Sequence, residues 1–348
     1  MIHYVAPCLS RPSGGVRTMY RHVDALNTAG MPAAIVHERR GFRCTWFENR
    51  TRVEYPPLVL GDDLLVFPEE FSADALGRIA PGVPKVILNQ NAYRTFASEG
   101  PRSRVPAVDC PDVVAAVVVS QDNERYLRYA FPDLRVHLVR HCIDGRVFFP
   151  DATAHERRIA VMPHKRPQDY TQVRALLQRR GVLDDWELVV LRGLPEATVA
   201  RELRRAPLFL SFANAEGFGL PAAEALASGC FVIGFHGQAG REFLGSEQAV
   251  VVEDGDIIGF AAAVEDFTRH FDPGRDAVRD RVRDAARWIH STYSQEHQTA
   301  DLVDAFGDLD EGGRSVAAAV QARELHVEPG WRRSARRVAV RVSRGVRR

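Results

Sequence analysis

The chain lacks any apolar run able to span a bilayer: across its 348 residues the longest, VVAAVVV at 113–119, is far too short. No secretory leader is expected, since MIHYVAP has no basic segment followed by an apolar run and reads directly as a buried strand. The five cysteines, Cys8, Cys44, Cys110, Cys142 and Cys230, are scattered and odd in number. With no CxxC and no zinc-type spacing to histidine, they read as free thiols, and a cytoplasmic protein is expected. Net charge is nearly absent, at +1, but unevenly placed. Residues 331–348, WRRSARRVAVRVSRGVRR, hold eight arginines and no acid, so the rest of the chain is mildly acidic. A body of that sign argues against nucleic acid as a partner. With 45% apolar and 26% charged residues, the composition is that of a globular chain rather than a disordered one.

What is present is a regular alternation. Short apolar runs at 2–6, 33–37, 64–67, 85–89, 114–119 and 136–140 read as strands, and so do 158–162, 187–191, 208–211, 231–234 and 249–252. Many are continuous Val/Leu/Ile runs, the pattern of parallel strands buried on both faces. Helical stretches between them imply βαβ units, so an α/β chain of doubly wound, Rossmann-like sheets is expected. The length suits about two domains. In SGGVRTMYRHVDALNTAG, Val16, Met19, Tyr20, Val23 and Leu26 fall on one helical face and Gly30 marks the end. A polar, proline-bearing link in RHCIDGRVFFPDATAHERRIAVMP places the domain division near residue 152. The expected parts are therefore domains at 1–152 and 153–291, a helix at 292–310 and a linker with basic tail at 311–348. A helix is expected over 276–290. Thr292 and Gln295 resemble a capping box that starts the next one. RSVAAAVQARELH reads as one short helix in the linker.

The stretch EGFGLPAAEALASG, residues 216–229, is the most informative. It follows the strand LFLSF, turns through glycines and enters a helix in which Pro221 sits at a tolerant first-turn position. Phe218, Gly219 and Leu220 bring backbone N–H groups to the helix start, where partial positive charge and unpaired donors make a seat for phosphate. Glu216 lies in the loop and Glu224 about one turn inside the helix. Carboxylates on either side of such a seat can accept bonds from sugar hydroxyls. Helix-dipole favourability alone, ~0.3–1 kcal/mol for an acid in a first turn, would also place glutamates there.

This block, within APLFLSFANAEGFGLPAAEALASGCFVIGF, resembles the E-x7-E motif of GT-B-fold retaining glycosyltransferases of family 4. The resemblance spans about residues 1–305. It implies two Rossmann-like domains facing a central cleft, with the acceptor side in the first domain and a nucleotide-activated sugar held by the second. It also implies that Glu216 contacts the donor sugar and Glu224 the ribose. In SRPSGGVRTMYRH, Gly14 and Gly15 match the family's glycine pair against the donor diphosphate; glycine there lets backbone approach a ligand. In RIAVMPHKRPQD, Lys165 matches the family's diphosphate-binding lysine. The arginine beside it is replaced by His164, with Arg166 following as a possible substitute. A neutral imidazole offers the leaving diphosphate less than a fixed guanidinium. In KVILNQNAYRTF, Gln90 or Asn91 stands where the family usually has a histidine near the reacting carbon, and an amide cannot act as acid or base at neutral pH. That need not abolish transfer, because these enzymes are thought to react on one face with the leaving phosphate taking the acceptor proton. VRHCIDGRVFFP and GQAGREFL, with Glu242, are further matches of structural kind.

No DxD motif sits at a strand end, so no metal and no separate cofactor are expected; the sugar nucleotide is a substrate. MPHKRP with NQNAY resembles a bacterial branch of the family linked to cell-surface polysaccharides, including rhamnosyl transfer. The expected acceptor is a glycan or lipid-linked precursor. A small-molecule acceptor, a non-catalytic sugar-nucleotide-binding subunit and an epimerase of the same fold are the alternatives. Drawn as a helix, the tail sets Trp331, Ala335, Val338, Val342 and Val346 in a stripe among arginines. That pattern suits contact with the inner face of a membrane, at about 1 kcal/mol per Arg near an anionic leaflet, and equally a disordered basic end.

Overall fold

The structure, a computed structural model, describes all residues except 56–57, 60–61, 97–104, 152–155, 246, 273–275, 314–322 and 326–348. The expectations for the tail and for most of RSVAAAVQARELH lie outside the described residues. Contacts divide the chain into two compact units, one of Met1–Arg140 with residues from Gln298 onward, the other of His141–His297.

The first unit is a parallel sheet. In chain order it contains β1 (Ile2–Ala6), α1 (Gly14–Thr28), β2 (Ala33–His37), β3 (Val53–Glu54), β4 (Leu58–Val59), β5 (Leu64–Pro68), α2 (Ala73–Arg78), β6 (Lys85–Asn89), β7 (Val113–Val118), α3 (Gln121–Ala130) and β8 (Val136–Leu138). Seven strands pair in the order β3-β2-β1-β5-β6-β7-β8. β1, β2 and β6 are buried at every residue, as continuous apolar runs should be. One face packs Leu65, Phe67, Ile87 and Val118 against Leu76 of α2 and Leu127 of α3. On α1 the stripe Val16, Met19, Tyr20, Val23 and Leu26 is wholly buried, and Gly30 follows with φ +82°. Each such side chain taken out of water contributes roughly 1.5–3 kcal/mol.

The second unit contains β9 (Arg158–Val161), α4 (Pro167–Arg179), β10 (Glu187–Val190), α5 (Glu196–Arg205), β11 (Leu208–Phe212), α6 (Leu220–Ala227), β12 (Phe231–Phe235), β13 (Ala249–Val251), α7 (Ile257–His270) and α8 (Asp276–Thr292). Its five parallel strands run β10-β9-β11-β12-β13. Phe212 and Phe260 stack at 4.8 Å within its core.

The segment before residue 152, which the polar link assigned to the first domain, packs in the second unit. Ile143 N–H bonds Tyr293 O at 2.9 Å, Gly145 lies against His290, and Pro150 lies against Gly229. The division falls between Arg140 and His141: Ile143 and Phe148 of VRHCIDGRVFFP are buried, and Phe149 lies under the Arg204 guanidinium of α5 at 4.5 Å, so the stretch is packed rather than a linker. The chain then returns through α9 (Gln295–Gly313). Phe306 packs on Tyr4 of β1 at 6.2 Å, and Asp301 binds the Arg140 guanidinium at 2.7 and 2.8 Å. Ser294, not Thr292, caps α9: its Oγ accepts from His297 N–H at 3.1 Å. Arg323–Glu324, expected at the end of a short helix, instead form β14, antiparallel to β4, and Leu325 joins the first core.

Candidate functional site

In an open parallel sheet, ligands collect outside the carboxyl ends of the strands, where the strand order reverses direction. In the second unit β10 lies to one side of β9 and β11 to the other, so that point is between β9 and β11. The sequence-predicted residues gather there. Pro163–Lys165 form a 3-10 turn directly after β9, and Glu216 follows β11. Lys165 Nζ meets Glu216 Oε2 at 2.5 Å, with both side chains part-buried.

Glu216 is held by its backbone. Ala215 takes φ +45°, and Glu216 N–H bonds Gly237 O at 2.8 Å in a short parallel bridge to Gln238. Gly237, with φ +61°, has no room for a side chain: a Cβ there would sit 2.7 Å from Ala213 and 2.9 Å from Glu216 Cγ. The loops after β11 and β12 are therefore fixed to each other. Gly219 at φ +100° precedes α6 and carries no capping side chain; Pro221 has no N–H and Ala222 N–H donates to Gly219 O at 3.0 Å, so among the described residues it is the Leu220 N–H that is left for water or ligand at the helix start. Phe218 is buried between His141, Phe243 and Tyr293, at ring distances of 4.8, 5.0 and 4.9 Å, and anchors the turn. Leu220 opens α6, and Glu224 lies one turn in, buried, its backbone carbonyl accepting from Ser228 Oγ at 2.8 Å.

A pocket that opens to solvent lies here, lined among others by His164, Lys165, Glu216, Gly219, Pro221 and His236; Phe218, Leu220 and Glu224 are not part of its lining. Partial burial and then the neighbouring Lys165 charge push the His164 imidazole below its ordinary range, so the ring is neutral at neutral pH. Lys165 is thus the fixed positive charge of the pocket wall. Arg166 is committed elsewhere: it donates to Ala213 O at 2.9 Å and to Asp254 at 2.9 Å, and it lies over the Phe235 ring at 4.5 Å. His236 was not singled out from the sequence. Its Nδ1 accepts from Gln238 N–H at 2.8 Å, which holds the ring at the pocket edge.

The remaining predicted residues belong to the first unit and meet at its own switch point, between β1 and β5. Gly14 and Gly15 begin α1, and Gln90 follows β6. Gln90 Nε2 donates to Gly15 O at 3.2 Å, and a Cβ on Gly15 would lie 3.1 Å from that nitrogen. Asn91 caps the next turn, accepting from Tyr93 N–H at 3.1 Å, so Gln90 and not Asn91 turns to the glycine pair. Sequence reasoning missed Glu69, which follows β5 at this place and is buried. Its Oε2 accepts from Gln90 N–H at 3.2 Å. The signal available was the acid itself, directly after a strand in FPEEF.

Among the described residues no three His, Cys, Asp or Glu side chains are grouped to hold a metal ion, and no helix is long and apolar enough to cross a membrane.

Residues 154–270 match the family model described as Glycosyl transferases group 1. A curated relative, the alpha-1,6-glucosyltransferase of Actinobacillus pleuropneumoniae serotype 7 (strain AP76), is 28% identical over 124 residues. That match spans 35% of this chain and 37% of the relative, little more than a third of its length. Among solved structures, sucrose-phosphate synthase from Thermosynechococcus elongatus superposes with a TM-score of 0.63 at 14% identity, covering 89% of this chain and 99% of that one. HepE of Anabaena in complex with UDP-glucose gives 0.61 at 12% identity, covering 88% and 99%. TarM of S. aureus, solved with UDP and alpha-GlcNAc-glycerol, gives 0.55 at 13% identity, covering 71% and 56%. At these identities the likeness carries the fold, which is GT-B: two parallel-sheet α/β units.

Proposed function

We propose that the protein is a glycosyltransferase that moves a sugar from a nucleoside-diphosphate donor to an acceptor hydroxyl with retention of anomeric configuration. The observation that carries this reading is the Lys165–Glu216 pair at the β9/β11 switch point, beside the open N-terminus of α6 and one helical turn from buried Glu224. The match of residues 154–270 to a glycosyltransferase family model supports it.

In this reading the donor diphosphate lies at the start of α6, against the Leu220 N–H and the positive end of the helix dipole, and takes Lys165 as counter-ion. Glu216, released from Lys165, accepts bonds from the sugar hydroxyls, and Glu224 holds the ribose. The bond from the anomeric carbon to the diphosphate oxygen breaks, a bond to the acceptor oxygen forms, and the acceptor proton passes to the departing phosphate. No protein base is required, which fits an amide at Gln90. His164 adds a hydrogen bond rather than a charge at neutral pH, so Lys165 bears most of the charge stabilisation. The acceptor class is a glycan or lipid-linked glycan precursor. HepE was solved with UDP and glucose, which makes UDP the first nucleotide to try.

The test is thermal melting with UDP, GDP, TDP and ADP, beside the Glu224→Ala variant. A nucleotide at about 100 times its dissociation constant stabilises by roughly 2.7 kcal/mol. One nucleotide raising the melting point, with the rise lost in the variant, is the expected result. No rise with any of the four removes the donor-site assignment.

A further inference from the structure

The pocket of the second unit is short of positive charge for a diphosphate. The His164 imidazole is neutral, and the Arg166 guanidinium is bound to Ala213 O and Asp254, which leaves Lys165 to face two phosphates. The loop after β12 holds a cation that the donor reading does not use. Its course is set by strain. Gln238 takes φ +75° and ψ −76°, where a residue with a side chain persists only if its surroundings hold it. Ala239 N–H closes this tight turn on Gly237 O at 3.2 Å, and Gln238 bridges to Glu216, whose N–H bonds the same Gly237 O at 2.8 Å. The 3-10 turn Ala239–Glu242 that follows is thereby placed on the Glu216 side of the pocket. The next residue, Phe243, lies at the start of α6: a Cβ on Gly219 would meet it at 3.4 Å.

Arg241 sits on this turn and is exposed. Its Nε lies 3.2 Å from Nε2 of His236, a residue of the pocket lining. The other ring nitrogen, Nδ1, accepts from Gln238 N–H at 2.8 Å. An uncharged imidazole has one accepting nitrogen and an imidazolium has none, so the ring satisfies one of these two donors at a time. The backbone contact is the shorter and is fixed by the turn, so the Arg241 contact is the one that yields. Other arginines of the unit are paired with acids, Arg158 with Glu202 at 2.7 Å, Arg166 with Asp254 at 2.9 Å and Arg205 with Glu156 at 2.8 Å. Arg241 has no carboxylate partner among the described residues.

We propose that Arg241 is a donor-binding residue, which leaves His236 to bind the sugar-side phosphate of a nucleoside diphosphate and so lets the pocket distinguish diphosphates from monophosphates. This rests on the glycosyltransferase reading, in which Glu216 faces the sugar and Glu224 the ribose. A turn bridged to Glu216 then lies nearer the sugar-side phosphate than the ribose-side one. A guanidinium offers that phosphate two N–H groups in a fork as well as its charge. Lys165 and Arg241 hold the diphosphate from two loops, those after β9 and β12. Arg192 is the rival: it is exposed and its charge reaches His164, but it follows β10, on the far side of β9 from β11.

The experiment is isothermal titration of the full chain with UDP, GDP, TDP and ADP and with the monophosphate of each base. It is run on the unmodified protein, Arg241→Ala, Arg241→Lys and Arg192→Ala. The diphosphate that binds the unmodified protein should bind Arg241→Ala about tenfold more weakly, the scale of one charge-assisted contact, while its monophosphate changes by less than about twofold. Arg241→Lys should recover part of the loss, and Arg192→Ala should bind as the unmodified protein does. Because Arg241 is exposed, all four proteins should melt alike without nucleotide. Unchanged diphosphate affinity in Arg241→Ala overturns the proposal and leaves the donor reading standing, and so does an equal loss for monophosphate and diphosphate. A loss that appears in Arg192→Ala instead also overturns it. If the unmodified protein binds none of the nucleotides, the donor reading fails and this proposal fails with it.

Discussion

The two units end their sheets differently, although both sheets are parallel and doubly wound. At the carboxyl end of the second, a lysine and a glutamate meet across the switch point beside a helix N-terminus. That combination suits a ligand with a strongly anionic part and a hydroxylated part. At the carboxyl end of the first, a glutamine, a glycine pair and a buried acid meet instead, with no lysine among them. That combination suits hydroxyls alone. The sheet fixes where a ligand can sit, and a handful of strand-end side chains decide its charge.

The largest effect should come from removing the charge of the second site. Lys165→Ala is expected to lower release of nucleotide from its sugar by about 10²–10³-fold, the scale for losing one electrostatic partner of a transition state. A coupled assay of nucleoside diphosphate release reads this. A loss under tenfold would mean that Lys165 is not the main counter-ion of the diphosphate. Next comes Gly237→Ala, which forces a Cβ against Ala213 and Glu216 at a positive φ. It should cost about 1–3 kcal/mol of stability by strain and move Glu216, lowering both the melting point and turnover. A normal melting point with normal turnover would show that the two loops are not fixed to each other.

A subtler test compares the first site with itself across pH. Glu69 has its folded value raised above the ordinary carboxyl value of 4.5, to about 7. Over that window the folded state holds a proton that the unfolded chain has released, so stability falls as pH rises from about 4.5 to 7. Glu69→Gln removes that loss. Its stability should match that of the unmodified protein near pH 4 and exceed it at pH 8, by roughly 3.4 kcal/mol at most, read as a higher melting point. Equal melting points at pH 8 would mean the acid is not perturbed. The smallest effect is a control in the second unit. Arg180 pairs with Glu265 on the surface at 2.8 Å, and Arg180→Ala should leave melting and turnover unchanged within error, because exposed pairs contribute little.

Much of this architecture was legible in the sequence because it rests on local pattern. Each expected strand is present within two residues at its ends, since a run such as KVILN admits no reading but burial on both faces. EGFGLPAAEALASG gave the loop, the turn and the helix in the right places, because glycine and proline constrain backbone directly. What stayed hidden depends on distant partners. That Arg166 is spent on Asp254 and Phe235 follows from contacts many residues away. VRHCIDGRVFFP reads as a link from its polar residues, whereas the burial of Ile143 and Phe148 and the contact of Phe149 with Arg204 depend on residues far along the chain. Glu69 stood in plain view in FPEEF, but an acid after a strand is ordinary; only the fold, which folds Gln90 over it, makes it unusual.

The return of α9 to the first unit has a consequence for synthesis. The first unit is not a continuous stretch: Tyr4 waits for Phe306, and Arg140 for Asp301, both made after the whole of His141–His297. As the chain leaves the ribosome, the second unit is therefore the first to have all its parts, although domains usually mature from the N-terminus. The growing chain must carry an unfinished apolar surface around Tyr4 until α9 emerges, so loss of α9 would be felt first in the yield of folded protein.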